Sequence, residues 1–390
     1  MKQKKAISIE TFVLLLFIII AFGYLSSEMG VGPMFNTIMK TAHDLLLSTV
    51  FFIMAIAVLA GAFSALLSEF GVVALINMII SPIMKPLYKL PGAASLGAIT
   101  TYLSDNPAII SLSKDKGFIK YFKNYQVPVL CNLGTSFGMG LILSTFMISQ
   151  GEGTEFVKPV IIGNIAAIIG SIVSVRIMMH YTKIYYNVTK EDIEKEKENK
   201  ENELKFNEFR EIREGSPLER GLDAILEGGK NGVEMGLEII PGVLVICTMI
   251  MILTFGPSEV NNGIAVYKGL AYEGVELLPK IGSLLSPILK PLFGFKNAAA
   301  IAFPITSLGS VGAALGLVTK FINEGLISGN EIAVFTAMGM CWSGYLSTHV
   351  GMMDSLGVRR LANKAIFSHT IGGLLAGMSA HLLFVVTNFM

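Results

Sequence analysis

Charge is what this chain of 390 residues has least of, since Asp, Glu, Lys and Arg together make up only 15% of it. Hydrophobic residues make up 52% and the mean hydropathy is +0.63, which excludes an ordinary soluble domain. The net charge of +1 gives no basis for binding nucleic acid. The only three cysteines, Cys131, Cys247 and Cys341, lie in apolar runs, so they predict neither a disulfide framework nor a metal site. The composition indicates an integral membrane protein surrounded by the lipid bilayer.

Seven apolar stretches are long enough to cross a bilayer as helices, which takes about 20 residues each. They are residues 9–26, 44–67, 124–149, 155–180, 237–256, 331–355 and 366–388. The first stretch follows the basic end Met1-Lys-Gln-Lys-Lys, and no small-x-small cleavage site follows it. We therefore interpret residues 1–43 as a retained signal anchor with a connector.

Lysine and arginine determine the expected orientation of these spans. They cluster at the N-terminus, before the third span between Lys114 and Lys123, and after the sixth between Arg359 and Lys364. These places fall on one side, and the loops on the other side (27–43, 150–154 and 257–275) are poor in both residue types. We predict a multi-pass protein of the cell membrane, inner or plasma membrane, with its N-terminus in the cytoplasm and its C-terminus outside.

A charged stretch at residues 181–236 falls on the cytoplasmic side. From Thr189 to Arg213, acidic and basic residues recur at the i, i+4 spacing that supports a solvated helix. The sequence Ser216-Pro217-Leu218-Glu219 then provides an N-cap, a first-turn proline and an acid for a second helix. We predict a charged helical linker, with a regulatory or partner-binding role as the alternative.

The two halves of the chain repeat each other at an offset of 205 residues. Residues 81–87 (SPIMKPL) match residues 286–292 (SPILKPL) at six of seven positions, and residues 81–112 match at 12 of 32. Chance would give about two or three matches for this composition. Three predicted spans lie between the copies, and this odd number of crossings turns the second copy upside down. We predict inverted repeats over 44–180 and 237–390, an arrangement typical of secondary transporters.

Each repeat contains an apolar segment with a polar middle, at residues 93–113 and 298–318. The middles, Ser104-Asp105-Asn106-Pro107 and Gly309-Ser310-Val311-Gly312, divide each segment into half-helices of about ten residues. Such halves fit a re-entrant hairpin whose tip lines protein or water, and one ordinary span is the alternative. The predicted fold class is an all-α integral membrane protein, with about seven transmembrane helices and two re-entrant helical hairpins in an inverted-topology repeat.

Polar residues interrupt the third and sixth spans. The third contains Asn132, Thr135 and Ser136 among glycines, and the sixth contains Ser343 beside Gly344. Glycine at such places permits close helix packing, but the placement of both clusters just after a hairpin favours unwound binding helices.

Three ionisable residues are candidates for coupling to an ion. Asp105 is the only carboxylate within a predicted hairpin, and burying an unpaired charge there is costly enough to favour a functional role. It would ligate Na⁺, exchange a proton or meet a cationic group, and capping the tip turn is the alternative. His349 lies inside the sixth span and Asp354 near its end, where a proton relay and simple packing both remain open.

A proline-rich helix, a hairpin with a polar tip and a glycine-interrupted helix occur twice. This order resembles the nucleoside-recognition Gate-domain membrane proteins, relatives of the concentrative nucleoside transporters, over about 44–180 and 237–388. The resemblance implies that solute binds between the hairpin tips and the broken spans, and that the hairpin-bearing domain moves as an elevator against an oligomerising scaffold. The contact residues it implies are Ser104, Asp105, Asn106, Asn132, Thr135, Ser136, Ser307, Ser310 and Ser343. The second hairpin lacks the acidic residue that nucleoside transporters use to grip ribose hydroxyls, so the solute class stays open.

The sequence thus predicts an ion-coupled secondary transporter of a small polar solute, either nucleoside-like or another small organic molecule or ion. We expect elevator-type alternating access, a homo-oligomer, Na⁺ or H⁺ as the coupling ion, and no cofactor or bound metal. The alternatives are a membrane-embedded enzyme that uses Asp105, His349 and Asp354, and a non-transporting scaffold. An enzyme needs a clustered catalytic constellation, and these groups lie in different repeats without a spacing motif, so no enzymatic activity is predicted.

Overall fold

The structure, a computed structural model, describes residues 5–188 and 212–389 of the chain. The helices in chain order are α1 (Ile9–Met29), α2 (Val31–Glu69), α3 (Val72–Tyr88), α4 (Ala94–Leu103), α5 (Pro107–Leu112), α6 (Lys116–Ile119), α7 (Val129–Thr135), α8 (Gly140–Ser149), α9 (Val157–Tyr185), α10 (Pro217–Thr254), α11 (Leu277–Phe293), α12 (Ala302–Ser307), α13 (Val311–Asn323), α14 (Gly329–Cys341), α15 (Tyr345–Ser355) and α16 (Ala362–Phe389). Short 3₁₀ turns, Ala298–Ile301 and Arg359–Leu361, precede α12 and α16. Two antiparallel strands, β1 (Glu259–Asn261) and β2 (Ile264–Val266), lie between α10 and α11.

The predicted membrane-spanning helices are largely present. Within the described ranges, six helical stretches are long and apolar enough to cross a membrane, and they match six of the seven predicted spans. They are Ile9–Met29, Val31–Glu69, Val129–Ser149, Val157–Tyr185, Pro217–Thr254 and Arg359–Asn388. The remaining predicted span, 331–355, is divided into α14 and α15 by a break at residues 342–344. The predicted all-α membrane fold is confirmed, and the small β-hairpin is an addition that the sequence did not indicate.

Two predicted connections have a different form in the structure. The stretch 27–43, expected as a loop, is helical apart from Gly30, because its residues are amphipathic rather than apolar and escape a hydropathy search. The second linker helix does start at Pro217 with the predicted capping box of Ser216 and Glu219, but it runs directly into the fifth span as α10. The helix predicted from residue 189 to 213 lies almost wholly outside the described residues.

The described end of the linker is attached to the membrane helices by ion pairs. Arg213 lies 2.6 Å from the buried carboxylate of Glu69 at the end of α2, and 2.5 Å from Glu227 of α10. Arg220 approaches the other Glu69 oxygen at 3.1 Å. A buried carboxylate needs such partners, because an unpaired buried charge is strongly destabilising. The linker therefore ends at a fixed point on the α2–α10 pair.

Helices α2 and α10 form a long antiparallel pair that packs through small residues. A Cβ atom on Gly61 would lie 2.3 Å from the carbonyl oxygen of Gly228, and one on Gly232 would lie 2.4 Å from that of Ala57. Only glycine fits at these distances, so the two backbones approach as closely as in other glycine-packed membrane helices. Each helix contains one π-helical segment, Leu45–Val50 in α2 and Gly242–Cys247 in α10, and the two segments are in contact.

The inverted repeat is visible in the direction of equivalent helices. Helices α9 and α16 begin 205 residues apart, at Val157 and Ala362, as do α3 and α11 and as do α8 and α15. Helices α9 and α16 nevertheless run antiparallel, since Lys158 near the start of α9 donates a hydrogen bond of 2.8 Å to the carbonyl of Thr387 near the end of α16. Equivalent helices of opposite direction are what an inverted-topology repeat requires.

The loop between α10 and α11 is held by a buried carboxylate. Glu273 accepts hydrogen bonds from the Ser258 hydroxyl and from the backbone N–H groups of Lys268, Gly269 and Leu270, the last three at 2.8–3.1 Å. Burial raises the pKa of Glu273, but these hydrogen bonds to the ionised form outweigh burial and leave the pKa below its ordinary value. The backbone N–H of the neighbouring Tyr272 donates a hydrogen bond of 2.8 Å to the Thr41 hydroxyl, which attaches the loop to α2.

Candidate functional site

The first predicted hairpin is present, formed by α4 and α5. Its tip is the stretch Ser104–Asn106, and Pro107 is the first residue of α5. A proline is tolerated at this position, because the first N–H groups of a helix have no partner within the helix. The Ser104 hydroxyl donates to the Thr100 carbonyl at 2.7 Å, and the Asn106 amide donates to the Asp105 carboxylate at 2.6 Å. The tip is thus an irregular turn stabilised by its own polar side chains, with Asn106 buried and Asp105 half-buried.

The tip of this hairpin meets the breaks of both interrupted spans. A Cβ atom on Gly138, between α7 and α8, would lie 2.4 Å from Asn106 Oδ1 and 2.3 Å from Ser343 Oγ. A Cβ atom on Gly344, between α14 and α15, would lie 2.7 Å from Asn106 Nδ2. The breaks are equivalent, because the left-handed residues Met139 (φ 56°) and Gly344 (φ 61°) are 205 positions apart.

Asn106 is therefore enclosed by irregular backbone from both repeats. Its amide nitrogen lies 3.4 Å from Ser343 Oγ, and the Ser343 hydroxyl lies 3.4 Å from the Thr135 carbonyl oxygen. Its Oδ1 atom is buried and has no hydrogen-bond partner among the described residues. A buried polar atom without a partner is uncommon and suits a position that receives a ligand or water. The structure thus brings Asp105, Asn106 and Ser343 together with the backbone at Thr135.

The second predicted hairpin, formed by Ala298–Ser307 and α13, has its tip elsewhere. Ser307 donates to the Pro304 carbonyl at 2.9 Å, and Ser310 caps α13 by accepting from the Ala313 N–H at 3.2 Å. The tip packs on the π-helical segment of α10, since a Cβ atom on Gly242 would lie 2.8 Å from Ser310 Oγ. Among the described residues, no hydrogen bond joins the tips of the two hairpins, so Ser307 and Ser310 are separate from the group around Asn106.

A partly polar cavity of about 200 Å³ lies between the first hairpin and the α2–α10 pair. Its polar lining residues are Ser64, Ser68, Thr100, Ser104 and Asn231, and small residues form most of the rest. Ser64 also donates a hydrogen bond of 2.9 Å to the Leu103 carbonyl at the hairpin tip. A larger cavity of about 360 Å³ between α3 and α4 is lined almost entirely by apolar side chains. The smaller cavity is therefore the better candidate for holding a polar solute.

Asn132 and Ser136 face away from the hairpin tip. The Asn132 amide donates to Ser174 Oγ of α9 at 3.0 Å and to the Ala365 carbonyl of α16 at 2.9 Å. Ser136 and Thr135 donate to carbonyls one turn earlier in α7, both at 2.7 Å. These side chains connect helices or close their own helix, so a direct contact with solute stays a prediction for them.

Asp354 and His349, the two remaining candidates for ion coupling, lie in different environments. Asp354 is exposed and forms an ion pair with Arg359, whereas His349 is fully buried and contacts the Tyr345 carbonyl through Nδ1. The ring of His369, a residue without a predicted role, lies 4.6 Å from that of His349 between centroids. The sequence could not reveal this pair, because the two histidines lie on different helices. The spacing of residues within one helix does not show which residues of another helix pack against it.

Glu238 is a second carboxylate near the tip that sequence reasoning missed. It lies on α10 in the neighbourhood of Asp105, and its side chain is exposed. Its position at the start of an apolar run was the available signal, since a carboxylate within a membrane helix is a functional candidate by default.

The chain is an inverted-repeat membrane fold with two re-entrant hairpins and two broken spans. The tip of the first hairpin and the breaks of both spans meet at one place, so irregular backbone of both repeats is in contact there. No protein-family model matches the chain. An uncharacterized protein of Alkalihalophilus pseudofirmus is 23% identical over 200 residues, which are 50% of this chain and only 42% of that protein.

Solved structures of a concentrative nucleoside transporter, CNTnw, are similar over nearly the whole chain. Two intermediate states give TM-scores of 0.53 and 0.55 with 14% and 15% sequence identity, covering 96% of this chain and 85% and 86% of those chains. An outward-facing state gives a TM-score of 0.53 with 14% identity, covering 97% of this chain and 86% of that chain. The chain therefore shares the fold of CNTnw.

Proposed function

We propose that this protein is an ion-coupled secondary transporter of a small polar solute. The observation that carries the proposal is the meeting of a re-entrant hairpin tip with the breaks of both interrupted spans at Asn106, Gly138 and Gly344. Irregular backbone at membrane depth is costly unless it lines a binding site or an aqueous path. Its appearance at equivalent places in two inverted repeats fits a site opened alternately to each side.

One face of α10 passes both hairpin tips. Asn231 lines the cavity next to the first hairpin, and Gly242 contacts Ser310 of the second. These positions are about 16 Å apart along a helix that rises 1.5 Å per residue. Glu238 lies between them on the helix, in the neighbourhood of Asp105. We place the solute along this face, with Ser104, Asp105 and Asn106 at one end and Ser307 and Ser310 at the other.

The charges at this site favour a cation. A cation is stabilised by a carboxylate at the hairpin tip with a second one, Glu238, in its neighbourhood, which makes Asp105 the proposed ligand of the coupling ion, Na⁺ or H⁺. The cavity of about 200 Å³ is below the usual size of pockets for drug-sized ligands, about 300–1,000 Å³. A nucleoside or similar solute would therefore require the hairpin to separate from α10, whereas a smaller organic molecule or ion would not.

Movement of the hairpin-bearing helices against α2 and α10 would supply alternating access. The α2–α10 pair beside the site is closely packed through glycines, so it suits a stationary scaffold. Apolar side chains of α1 are exposed along nearly its whole length. We propose that the scaffold side also forms the contacts of a homo-oligomer in the cell membrane.

Uptake by proteoliposomes tests the proposal. Purified protein is supplied with radiolabelled nucleosides, amino acids and organic ions under Na⁺ or pH gradients, and we expect accumulation of one class against its concentration gradient. Asp105→Asn keeps the turn-capping oxygen but removes the charge, so it should lose gradient-driven accumulation while retaining counterflow exchange. Asp354→Asn is the matched control, because its carboxylate is at the surface in an ion pair with Arg359. Full accumulation by the Asp105→Asn protein would contradict the role of Asp105, and the absence of transport for every solute class would contradict the function.

A further inference from the structure

A cavity of about 470 Å³ lies between α11 and the start of the second hairpin, away from the first hairpin and its tip. Its polar lining residues are Ser283, Ser286 and Lys290 of α11, and Lys296 and Asn297 of the connection to the hairpin. Apolar and small residues form the rest, and no carboxylate is among the described residues that line it. The cavity therefore combines positive charge with groups that can donate hydrogen bonds.

The polar residues of α11 share one face of the helix. Ser283, Ser286 and Lys290 are spaced i, i+3 and i+7, which places them on the side that borders the cavity. Leu284 and Ile288 lie on the opposite side and are exposed. A helix with one apolar exposed face and one polar face is typical of the boundary between lipid and water.

The cavity lies on the side of the molecule that bears the C-terminal end of α16. A Cβ atom on Gly294, just before Lys296, would lie 2.3 Å from the ring of His381 in α16. Lysine and arginine placement predicts that this end of α16 is outside. Headgroups of the outer leaflet and solutes outside the cell would then both reach the cavity.

The two lysines are not neutralised by nearby carboxylates. Within the described ranges, neither Lys290 nor Lys296 forms an ion pair, and Lys296 Nζ donates only to Ser328 Oγ, at 3.2 Å. The buried carboxylate of Glu331 accepts the backbone N–H of Lys296 instead, at 2.9 Å. The side-chain oxygen of Asn297 accepts a backbone N–H at 2.8 Å, so its amide N–H groups remain to donate.

The equivalent place in the first repeat is closed. Pro91 and Gly92 stand 205 positions before Lys296 and Asn297, and a Cβ atom on Gly92 would lie 1.9 Å from Ser81 Oγ. The first hairpin therefore packs directly on its proline-rich helix at this point. Since the fold joins this helix to its hairpin without a lysine there, the presence of Lys296 favours a role in binding over a role in packing.

We propose that this cavity binds a phosphate group, carried by an anionic phospholipid of the outer leaflet or by a free phosphate anion. Lys290 and Lys296 approach the anion from two different elements, and charge-assisted hydrogen bonds from ammonium to phosphate are among the stronger ones in proteins. Ser283, Ser286 and Asn297 supply further donors. The bound anion would connect α11 to the second hairpin. An effect on transport rests on the proposed function, whereas the binding itself does not.

Binding is measured with two probes on the full-length protein in nanodiscs. Radiolabelled inorganic phosphate is titrated onto protein in phosphatidylcholine nanodiscs, and retention of phosphatidylglycerol from mixed nanodiscs is measured by native mass spectrometry. Lys290→Gln and Lys296→Gln should each weaken binding of the retained probe about tenfold, because each removes one charged partner. Lys280→Gln is the matched control, since it removes the same charge from the same helix at a position that does not line the cavity.

Either probe can support the site, and the two distinguish the source of the phosphate. Binding of inorganic phosphate would assign the cavity to a free anion, and retention of phosphatidylglycerol alone would assign it to a lipid headgroup. Binding of neither probe, or an equal loss in the Lys280→Gln, Lys290→Gln and Lys296→Gln proteins, would overturn the proposal. Both measurements omit the transported solute, so they keep their meaning if no transport is found.

Discussion

The missing side chain of Gly138 determines whether the first hairpin can reach its partners. Asn106 and Ser343 occupy the space in which a Cβ atom would stand, at 2.4 and 2.3 Å. Both neighbours are short polar side chains fixed by burial, so they have little room to move aside. The contact between the tip and the two helix breaks therefore depends on the absence of one methyl group.

We predict that Gly138→Ala displaces the hairpin tip while the protein still folds. The affinity for the transported solute should fall about tenfold, equivalent to about 1.4 kcal/mol, as measured by binding or by the concentration dependence of uptake. Gly351→Ala is the control, because a Cβ atom at Gly351 meets nothing within 4 Å and alanine raises helix propensity by up to about 1 kcal/mol. Equal solute affinities in the two variants would show that the tip does not bind solute.

Single residues were predicted with mixed success for a physical reason. The polar tip at Ser104–Asn106 and the capping box at Ser216 are local features, set by turn and cap chemistry, and both are confirmed. The pairing of His349 with His369 and the approach of Glu238 to Asp105 depend on how separate helices pack. A single sequence shows which residues share a face of one helix, but not which residues of another helix pack against that face.

The helices α2 and α10 show the same distinction. Their apolar cores at 44–67 and 237–256 were evident from hydropathy, but their amphipathic extensions to 31 and 217 were not, because polar residues facing protein resemble a loop in such a search. Their π-helical segments are also invisible in sequence, since one extra residue in a turn leaves composition unchanged. Both segments contact the second hairpin, where a Cβ atom on Gly316 would lie 3.0 Å from Cys247 Sγ and 3.5 Å from Leu45.

Substitutions of glycines in α10 measure how much the close packing of α2 against α10 contributes to stability. Gly232→Ala would place a methyl group 2.4 Å from the Ala57 carbonyl oxygen, so the helices must separate, and we expect the free energy of unfolding to fall by about 1–3 kcal/mol. Gly229→Ala lies one turn away and meets only Val58 at 3.6 Å, so it should be neutral or gain up to about 1 kcal/mol from helix propensity. Thermal unfolding in detergent compares the two, and equal melting temperatures would mean that the close approach contributes nothing.

The arrangement of the whole chain reflects the repeat between its two halves. A constant offset of 205 residues aligns α3 with α11, α8 with α15 and α9 with α16, although few residues are identical in the last two pairs. Repeats preserve the spacing of elements because each must rebuild the same packing, and here that spacing also predicted the second hairpin. The opposite directions of α9 and α16 agree with the inversion inferred by counting the spans between the copies.

The orientation of the chain in the membrane can be tested at the two ends of α10. Glu214 lies just before this helix and Asn262 lies at the turn between β1 and β2 after it, and both are exposed. The three native cysteines are at most 1% exposed, so they give little background labelling. Because lysine and arginine mark the side that bears Glu214 as cytoplasmic, a membrane-impermeant maleimide should label Asn262→Cys in intact cells and Glu214→Cys only after permeabilisation. The reverse pattern would invert the predicted orientation while leaving the repeat intact. Labelling of both positions from outside would mean that α10 does not cross the membrane, and the inverted repeat, which needs an odd number of crossings between its halves, would then be wrong.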